Sequence, residues 1–443
     1  MAVWSKVNLR SLDGAMRLDA EYYQPRYLKY ERAIRHGDRL GNILQSIMHP
    51  IEIKRIYGEE GIQILLAQNI RHNELDFTTK VFMPFSVKKV ISRNKLKYGD
   101  VVITRSGANY GDAAPYLGVP QEIYACADCL VLRPLEDIDG RYISTYLNSD
   151  VGRSMIKRGQ YGGAQPHVAP SHIREIRIPR LGKLEAEIGN IVSIAQSKDA
   201  ESNSLYNKAE ERLFSELGLC DVDLRPQLFY QSIYSRTIST RRLDPDFFSP
   251  RVQNIIGMLS GRKQSISNFV KLKKRRFKPK PGSAFNYIEI ADIGSGGEAH
   301  YKEVSGEEAP SRATWIVKSG DVITTTVRPI RRLTAIISEE QDGFVCSSGF
   351  AVLRPKDIEP ELLLVYLRLP LVAELLDLHT TASMYPAISV ADLMKIPFKI
   401  PNEKAREAVV EMVQKSFAAR DESRRLLEEA KRMVEEAVME GAR

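Results

Sequence analysis

Along the chain, short aliphatic and β-branched runs alternate with stretches of helical spacing. Val101-Val102-Ile103-Thr104, Cys129-Leu130-Val131-Leu132 and Ile336-Ile337 read as strands, bounded by Gly-Asp, Asn-Lys and Asp-Gly turn signals. Ile143 to Leu147 and Leu362 to Leu369 carry apolar residues at the period of a helix. Two patterns are longer. From about Glu403 to Glu440 there is neither Pro nor Gly, and Val409, Met412, Ser416, Ala419, Ser423, Leu426, Ala430, Met433 and Ala437 recur at steps of three and four. From about Leu184 to Leu217, Ile188, Ile191, Ala195, Ser202, Leu205 and Ala209 form a similar stripe that stops at Gly218. Stripes this rich in Ala and Ser suit two closely packed helices, each about 50 Å long at about 1.5 Å per residue. The plainer alternative is that each helix lies on its own domain.

The pattern occurs twice. Arg17-Leu18-Asp19-Ala20-Glu21-Tyr22-Tyr23-Gln24-Pro25-Arg26 recurs as Arg242-Leu243-Asp244-Pro245-Asp246-Phe247-Phe248-Ser249-Pro250-Arg251, offset by 225. Gly99-Asp100-Val101-Val102-Ile103-Thr104 returns as Gly320-Asp321-Val322-Ile323-Thr324-Thr325, and Val131-Leu132-Arg133-Pro134 as Val352-Leu353-Arg354-Pro355, both offset by 221. Tyr146-Leu147 matches Tyr366-Leu367, and Ile178-Pro179 matches Ile400-Pro401. Anchors in one order with small drifts mean a tandem duplication, its junction near Gly218 to Pro226.

Composition narrows the class. The 443 residues suffice for two or three domains, and 43% hydrophobic content is ordinary for a globular chain. The formal charge of +8 is mild, so any nucleic-acid signal must come from local clusters. No run of about eighteen apolar residues predicts a membrane span, and MAVWSKVNLR lacks the apolar core of a secretory signal. Four cysteines do not make a disulfide scaffold, and the expectation is a reducing cytoplasm.

Taken end to end, the chain resembles the specificity subunit of a Type I restriction–modification system. The resemblance rests on the duplication, on Gly99-Asp100-Val101-Val102-Ile103-Thr104-Arg105-Ser106-Gly107 followed by Gly111, and on the segments that close each half. Those are Gln165-Pro166-His167-Val168 leading to Ile178-Pro179, and Tyr385-Pro386-Ala387-Ile388 leading to Ile400-Pro401. It implies an α/β (α+β) fold with two tandem β-rich target recognition domains, each followed by a long helix, the helices pairing as an antiparallel coiled coil. Residues 1–183 and 218–401 would be the recognition domains, and 184–217 and 402–443 the spacer helices. Each domain would read one half of a bipartite site in double-stranded DNA. The helices would fix the gap between half-sites and dock methyltransferase subunits, and restriction subunits would join through the complex. The chain itself would be non-catalytic and bind no cofactor; S-adenosylmethionine would belong to the methyltransferase, which flips and methylates an adenine. Diverged halves should read different sequences, on a duplicated frame able to mirror the two-fold symmetry of a DNA backbone.

Basic clusters supply the candidate contacts. Seven of the ten residues from Lys271 to Lys280 are basic, and among them Lys273, Lys274, Arg275, Arg276, Lys278 and Lys280 are suited to neutralising phosphates. The first half is thinner, with Lys54 and Arg55, then Arg71. After each Gly-Asp strand comes a second group: Arg105, Ser106, Asn109 and Tyr110 in the first half, Arg328, Arg331 and Arg332 in the second. Arg and Asn pair bidentately with guanine and adenine edges, and Gly107 and Gly111 would let that backbone approach a groove. Gln165, His167 and Tyr385 lie in the other candidate loops, with core or turn duty equally open to them.

Other motifs point elsewhere weakly. Asp292-Ile293-Gly294-Ser295-Gly296-Gly297 imitates a nucleotide loop, yet Gln63 to Ile70 in the first half has no glycine. Cys126-Ala127-Asp128-Cys129 has no second pair and aligns with Ser347 and Phe350, as buried strand thiols would. Glu52-Ile53-Lys54 resembles a fragment of a nuclease site but has no carboxylate in its counterpart. The alternatives to a specificity subunit are a free-standing duplicated DNA-binding regulator and, more distantly, a methyltransferase or nuclease in its own right.

Overall fold

The computed structural model describes residues 4–7, 19–77, 79–107, 109–160, 167–225, 227–240, 242–261, 264–381 and 384–441. Arg17 and Leu18 of the repeated lead-in, and Ala108, Gln165 and Pro166 of the candidate loops, lie outside them. The chain is mixed helix and sheet and divides into two compact units, Met1–Asp199 with Arg420–Arg443, and Ala200–Ala419.

The first unit holds seven principal strands: β1 (Leu44–Met48), β2 (Ile62–Leu65), β3 (Val81–Met83), β4 (Val101–Thr104), β5 (Ala113–Pro115), β6 (Tyr124–Ala125) and β7 (Cys129–Pro134). They form an antiparallel sheet in the order β1-β7-β4-β5 and a second sheet β3-β2-β6, in which β2 and β6 run parallel. All four residues of β4 are buried, so it reads as a continuous apolar run rather than an alternation. Helices α1 (Gly140–Asn148) and α2 (Asp150–Arg158) start at Asp139 and Ser149, whose side chains accept from Arg141 N–H and Gly152 N–H as N-caps do.

The second unit repeats this in β8 (Val270–Leu272), β9 (Ala284–Ile288), β10 (Lys302–Ser305), β11 (Ala313–Ile316), β12 (Val322–Thr325), β13 (Thr334–Ile336), β14 (Val345–Ser347) and β15 (Phe350–Pro355). The sheets are β8-β15-β12-β13 and β10-β9-β14-β11. Helices α3 (Pro360–Arg368) and α4 (Pro370–Leu378) each begin on a proline, whose missing N–H costs nothing at that position. Register carries the repeat down to single residues. In the first unit Thr104 faces Cys129 and Val101 faces Pro115; in the second Thr325 faces Phe350 and Val322 faces Ile336, all displaced by 221. The parallel pair repeats too, Ile64 with Tyr124 and Tyr287 with Val345. One difference is local: β11 is a full strand against β14, whereas its counterpart in the first unit is a single bridge, Lys95 to Tyr124.

The repeated sequence anchors are contact partners. Asp100 is buried and takes Arg133 through Nε at 2.8 Å and Nη2 at 2.7 Å, while accepting Lys97 N–H at 2.7 Å. Asp321 accepts Lys318 N–H at 2.8 Å, has Arg354 Nε at 2.6 Å, and also bonds Arg275. The Gly-Asp and Leu-Arg-Pro motifs are therefore two halves of one buried ion pair, made by adjacent strands. Gly99 and Gly320, with φ of 85° and 74°, close the turns that aim those carboxylates inward. Likewise the Tyr146 hydroxyl donates to Arg177 O at 2.6 Å, next to Ile178-Pro179, and that of Tyr366 donates to Pro397 O, three residues before Ile400-Pro401.

The long helices span Lys183–Glu216 and Glu403–Glu440, and each crosses from one unit into the other. The linear division at residues 183, 217 and 401 therefore differs from the compact division, because each unit owns a segment of both helices. Within the first unit, Ile188 and Val192 share a core with Ala430, Val434 and Val438, and Asp199 sits 3.9 Å from Arg420. Within the second, Ser416 Oγ donates to Ser202 O at 2.9 Å, Lys399 Nζ donates to Leu217 O at 3.1 Å, and Asn402 bonds Glu216. Numbers rise along one segment as partners fall along the other, so the segments pack antiparallel. The buried stripe corrects the expected one: Val192, Tyr206, Val413, Val434 and Val438 are buried where Ile191, Leu205, Met412, Met433 and Ala437 are only half-buried. Steps of four and three from Ile188 and Val409 reach Val192, Tyr206 and Val413, steps of four from Ala430 reach Val434 and Val438, and the second set flanks the seam. Ser202 and Ser416 meet at 3.0 Å, and their hydroxyls satisfy each other and one carbonyl.

Candidate nucleic-acid interface

In each unit the loop that follows the Gly-Asp strand is bonded to the loop that closes the domain. In the second unit Thr326 N–H donates to Gly349 O at 2.8 Å, Val327 bridges Ala387, Arg328 N–H donates to Pro386 O at 2.7 Å, and Ile388 N–H donates to Thr326 O at 2.9 Å. In the first, Arg105 N–H donates to Asp128 O at 2.8 Å, Ser106 bridges His167, and Val168 N–H donates to Arg105 O at 3.2 Å. Segments about 60 residues apart in the chain thus form one rim, at the same place in both copies. Register puts Arg328 where the first unit has Gly107.

The second rim is held under strain. Arg328 and Arg332 have φ of 50° and 58°, left-handed positions that are uncommon without glycine and cost about 1–3 kcal/mol each. They bracket a single turn, Pro329–Arg331. Arg332 is anchored inward, bonding Glu210 of the first long helix at 3.1 Å and Arg368 O at 3.3 Å. Arg328 turns to the closing loop: its Nη2 donates to Met384 O at 3.3 Å and its guanidinium lies 5.4 Å from the Tyr385 ring centre. Ile330, Arg331, Met384 and Tyr385 are exposed. The rim thus presents Arg328, Arg331 and Tyr385, while Arg332, its side chain 42% exposed, is also tied to Glu210 and Arg368 O.

The run from Lys271 to Lys280 is sorted by strand alternation. Lys271 pairs with Arg354 at the edge of the first sheet, and Lys273 N–H donates to Val352 O. The chain then passes beside β11, where Phe277 N–H donates to Thr314 O and Ile316 N–H to Arg275 O. Lys274, Arg276, Lys278 and Lys280 point outward and Lys273 is half-buried. Arg275 turns in, bonding Asp321 and donating to Ile316 O at 3.2 Å. It shares that one buried carboxylate with Arg354, and its side chain remains 32% exposed.

In the first unit Asp128 is the hub. Arg55 Nη2 donates to its carboxylate at 2.7 Å, a pairing that raises the Arg55 pKa, and Ser106 Oγ reaches the same group at 3.5 Å. Lys54 is exposed beside Arg55, while Arg105 and Asn109 are half-buried in the rim. Tyr110 is corrected to a core residue: it is buried, its hydroxyl donates to Ile156 O at 3.0 Å, and burial pushes its pKa upward. Tyr110→Phe should therefore cost about 1 kcal/mol, read as a lowered thermal midpoint with DNA binding unchanged; a binding loss at unchanged stability would refute this placement. Gly111 is interior too, its Cα facing Ile156, whereas Gly107 is open on that side. Arg71 folds onto its own turn, donating to Gln68 O at 2.6 Å and Ile70 O at 3.0 Å. Next to it His72 and Arg153 converge on Asp112 at 3.1 and 2.6 Å, and those contacts outweigh desolvation to hold its carboxyl below its usual range.

The glycine loop is a packed turn. Gly294 N–H donates to Glu298 O, Arg368 caps the carbonyls of Gly294 and Ser295, and a Cβ on Gly297 would strike Leu364 at 2.8 Å. Cys126 and Cys129 are free thiols 3.7 Å apart across a turn, Cys129 fully buried. Among the described residues no three His, Cys, Asp or Glu side chains are grouped to hold a metal ion. No described helix is long and apolar enough to cross a membrane. Two rim residues escaped the sequence reading. Asp128 was masked by the cysteines around it, and Arg312, exposed and with its carbonyl accepting Ser348 N–H at 2.8 Å, stands alone in the sequence.

No family model matches the chain, and no curated protein matches it. Among solved structures it is similar to the S subunit of the Type I restriction–modification system of M. genitalium, at 11% identity over 90% of this chain and 94% of that one, with a TM-score of 0.40. It is also similar to the HsdS subunit of Thermoanaerobacter tengcongensis, at 16% identity over 91% and 95% of the two chains, with a TM-score of 0.27. A chain from a type I R-M system structure matches at 16% identity over 92% and 97%, with a TM-score of 0.29.

Proposed function

We propose that this chain is a DNA-reading specificity subunit of a Type I restriction–modification system, itself non-catalytic and working in the cytoplasm. One observation carries the reading: the two units share strand register across most of their sheets, yet their matching rims carry different side chains. A scaffold kept constant under a varied rim is what two readers of different DNA sequences require, since phosphate contacts position and base contacts specify. The first unit reads with Lys54, Arg105 and Asn109, and the second with Arg328, Arg331 and Tyr385, assisted by the outward lysines and Arg276 of the 271–280 run. The long helices, each shared by both units, are the surface on which methyltransferase subunits dock, with S-adenosylmethionine bound there and not here. Restriction subunits join through that complex.

Deleting the chain from its host and mapping methylated adenines tests this directly. The expected result is the loss of one split motif with two unlike halves, together with co-purification of the tagged chain with an adenine methyltransferase. An unchanged methylome would overturn the assignment. DNA binding without any methyltransferase in the pull-down would favour a free-standing regulator.

A further inference from the structure

Most of the rim chemistry is polar, but the second unit carries an apolar tip. Met384 is 76% exposed and Tyr385 66% exposed, adjacent in the chain on the loop that closes the domain. Exposed single apolar residues are ordinary on protein surfaces; this pair differs in how it is braced. Thr380–Thr381 pairs with Ala387–Ile388 below it, Val327 bridges Ala387, Arg328 N–H holds Pro386 O, and the Arg328 guanidinium reaches both Met384 O and the Tyr385 ring. Arg328 adopts its left-handed backbone to do so. A side-chain tip that must push into a stacked helix has to be braced in this way, because the unstacking cost is met at the point of contact.

The surroundings select the occupant. Ile330 adds a third exposed apolar group beside Arg328, and the exposed or half-exposed charged side chains on the rim include Arg328, Arg331, Arg332 and, through the Thr326–Gly349 and Arg312–Ser348 bonds, Arg312. A small apolar tip set among arginines complements a polyanion. It falls well short of the roughly 800 Å² per partner that a stable protein interface buries. The first unit has Gly107 at the position of Arg328, so it lacks this brace.

We propose, resting on the DNA-reading assignment above, that Met384 and Tyr385 are a wedge that enters a base step in the second unit's half-site and unstacks it. Arg328 backs the ring, its guanidinium 5.4 Å from the ring centre. One half-site is therefore deformed and the other read without a wedge. This adds a specificity term at a step that need not be hydrogen-bonded, since flexible pyrimidine–purine steps unstack most easily.

The test uses the full-length chain and a duplex that it selects from a randomised pool, with 2-aminopurine substituted in turn along both half-sites. Binding is expected to raise the fluorescence several-fold at one step in one half. Met384→Ser with Tyr385→Ser should abolish that rise and weaken binding about tenfold or more, while Tyr385→Phe retains the rise. Both residues are exposed, so circular dichroism and melting should be unchanged. Selection of a defined site with no rise at any position would overturn the wedge and leave DNA reading standing. A rise that survives the double substitution would overturn the assignment to these residues. Failure to select any duplex would overturn the DNA-reading assignment and the wedge with it.

Discussion

Asp321→Ala should destabilise the second unit by about 3 kcal/mol, toward the lower end of what breaking a buried ion pair costs. The Asp321 side chain is fully buried, accepts from Lys318 N–H and Arg275, and is ion-paired with Arg354. Its removal leaves two guanidinium groups facing each other and one N–H without an acceptor. Each arginine side chain is 32% exposed, so water recovers part of the loss, which places the value low in the range. Asp321→Asn keeps an acceptor for Lys318 N–H and should lose roughly half as much. Asp100→Ala in the first unit strands only Arg133 as a cation and should cost less than Asp321→Ala. Urea unfolding followed by fluorescence reads the second unit, because Trp315 is partly buried in β11 and the other tryptophan, Trp4, is exposed. An Asp321→Ala midpoint within experimental error of the wild type would show that the two repeated motifs are not energetically joined.

That buried pair also shows how far the sequence could be read. The recurrence of Gly-Asp and Leu-Arg-Pro at one offset marked them as structural, and their registers in the two units coincide as the duplication requires. Their contact was not legible, because it arises from the antiparallel neighbours β4 and β7, whose pairing no local pattern specifies. The long helices were legible because a 3.6-residue period over nine turns overwhelms local noise. Which residue of each adjacent apolar pair faced the seam was not, since Ile191 and Val192 both satisfy a 3-or-4 rule. Charge was the least reliable guide. Lys271 to Lys280 reads as one patch, but strand alternation turns Arg275 inward to a carboxylate 46 residues away. Tyr110 lay in the correct loop and pointed into the core. In each case the sequence found the segment, and tertiary contacts chose the face.

Within one turn of the second rim, neighbouring arginines should separate cleanly into readers and supports. Arg328→Ala with Arg331→Ala is expected to weaken binding to the selected duplex by about tenfold to a hundredfold per lost base contact. Sequence preference should disappear in one half-site and persist in the other, because the first unit's rim is built from separate residues. Arg332→Ala should behave oppositely. Its guanidinium bonds Glu210 and Arg368 O, and Glu210 is half-buried, with desolvation already raising its pKa against the pull of Arg332 and Arg368. Losing Arg332 should raise that pKa further and lower the thermal midpoint. A folded pKa raised above the unfolded value means that stability is fully present below the unfolded pKa and is lost as pH rises through the folded one. The Arg332→Ala deficit should therefore be larger at neutral pH than near pH 4, about the ordinary glutamate value. Selection from a randomised pool with each variant, alongside melting at both pH values, measures the two effects separately. An unchanged site for the Arg328 and Arg331 double variant, or an altered site for Arg332→Ala at full stability, would mean that the rim does not divide its arginines in this way.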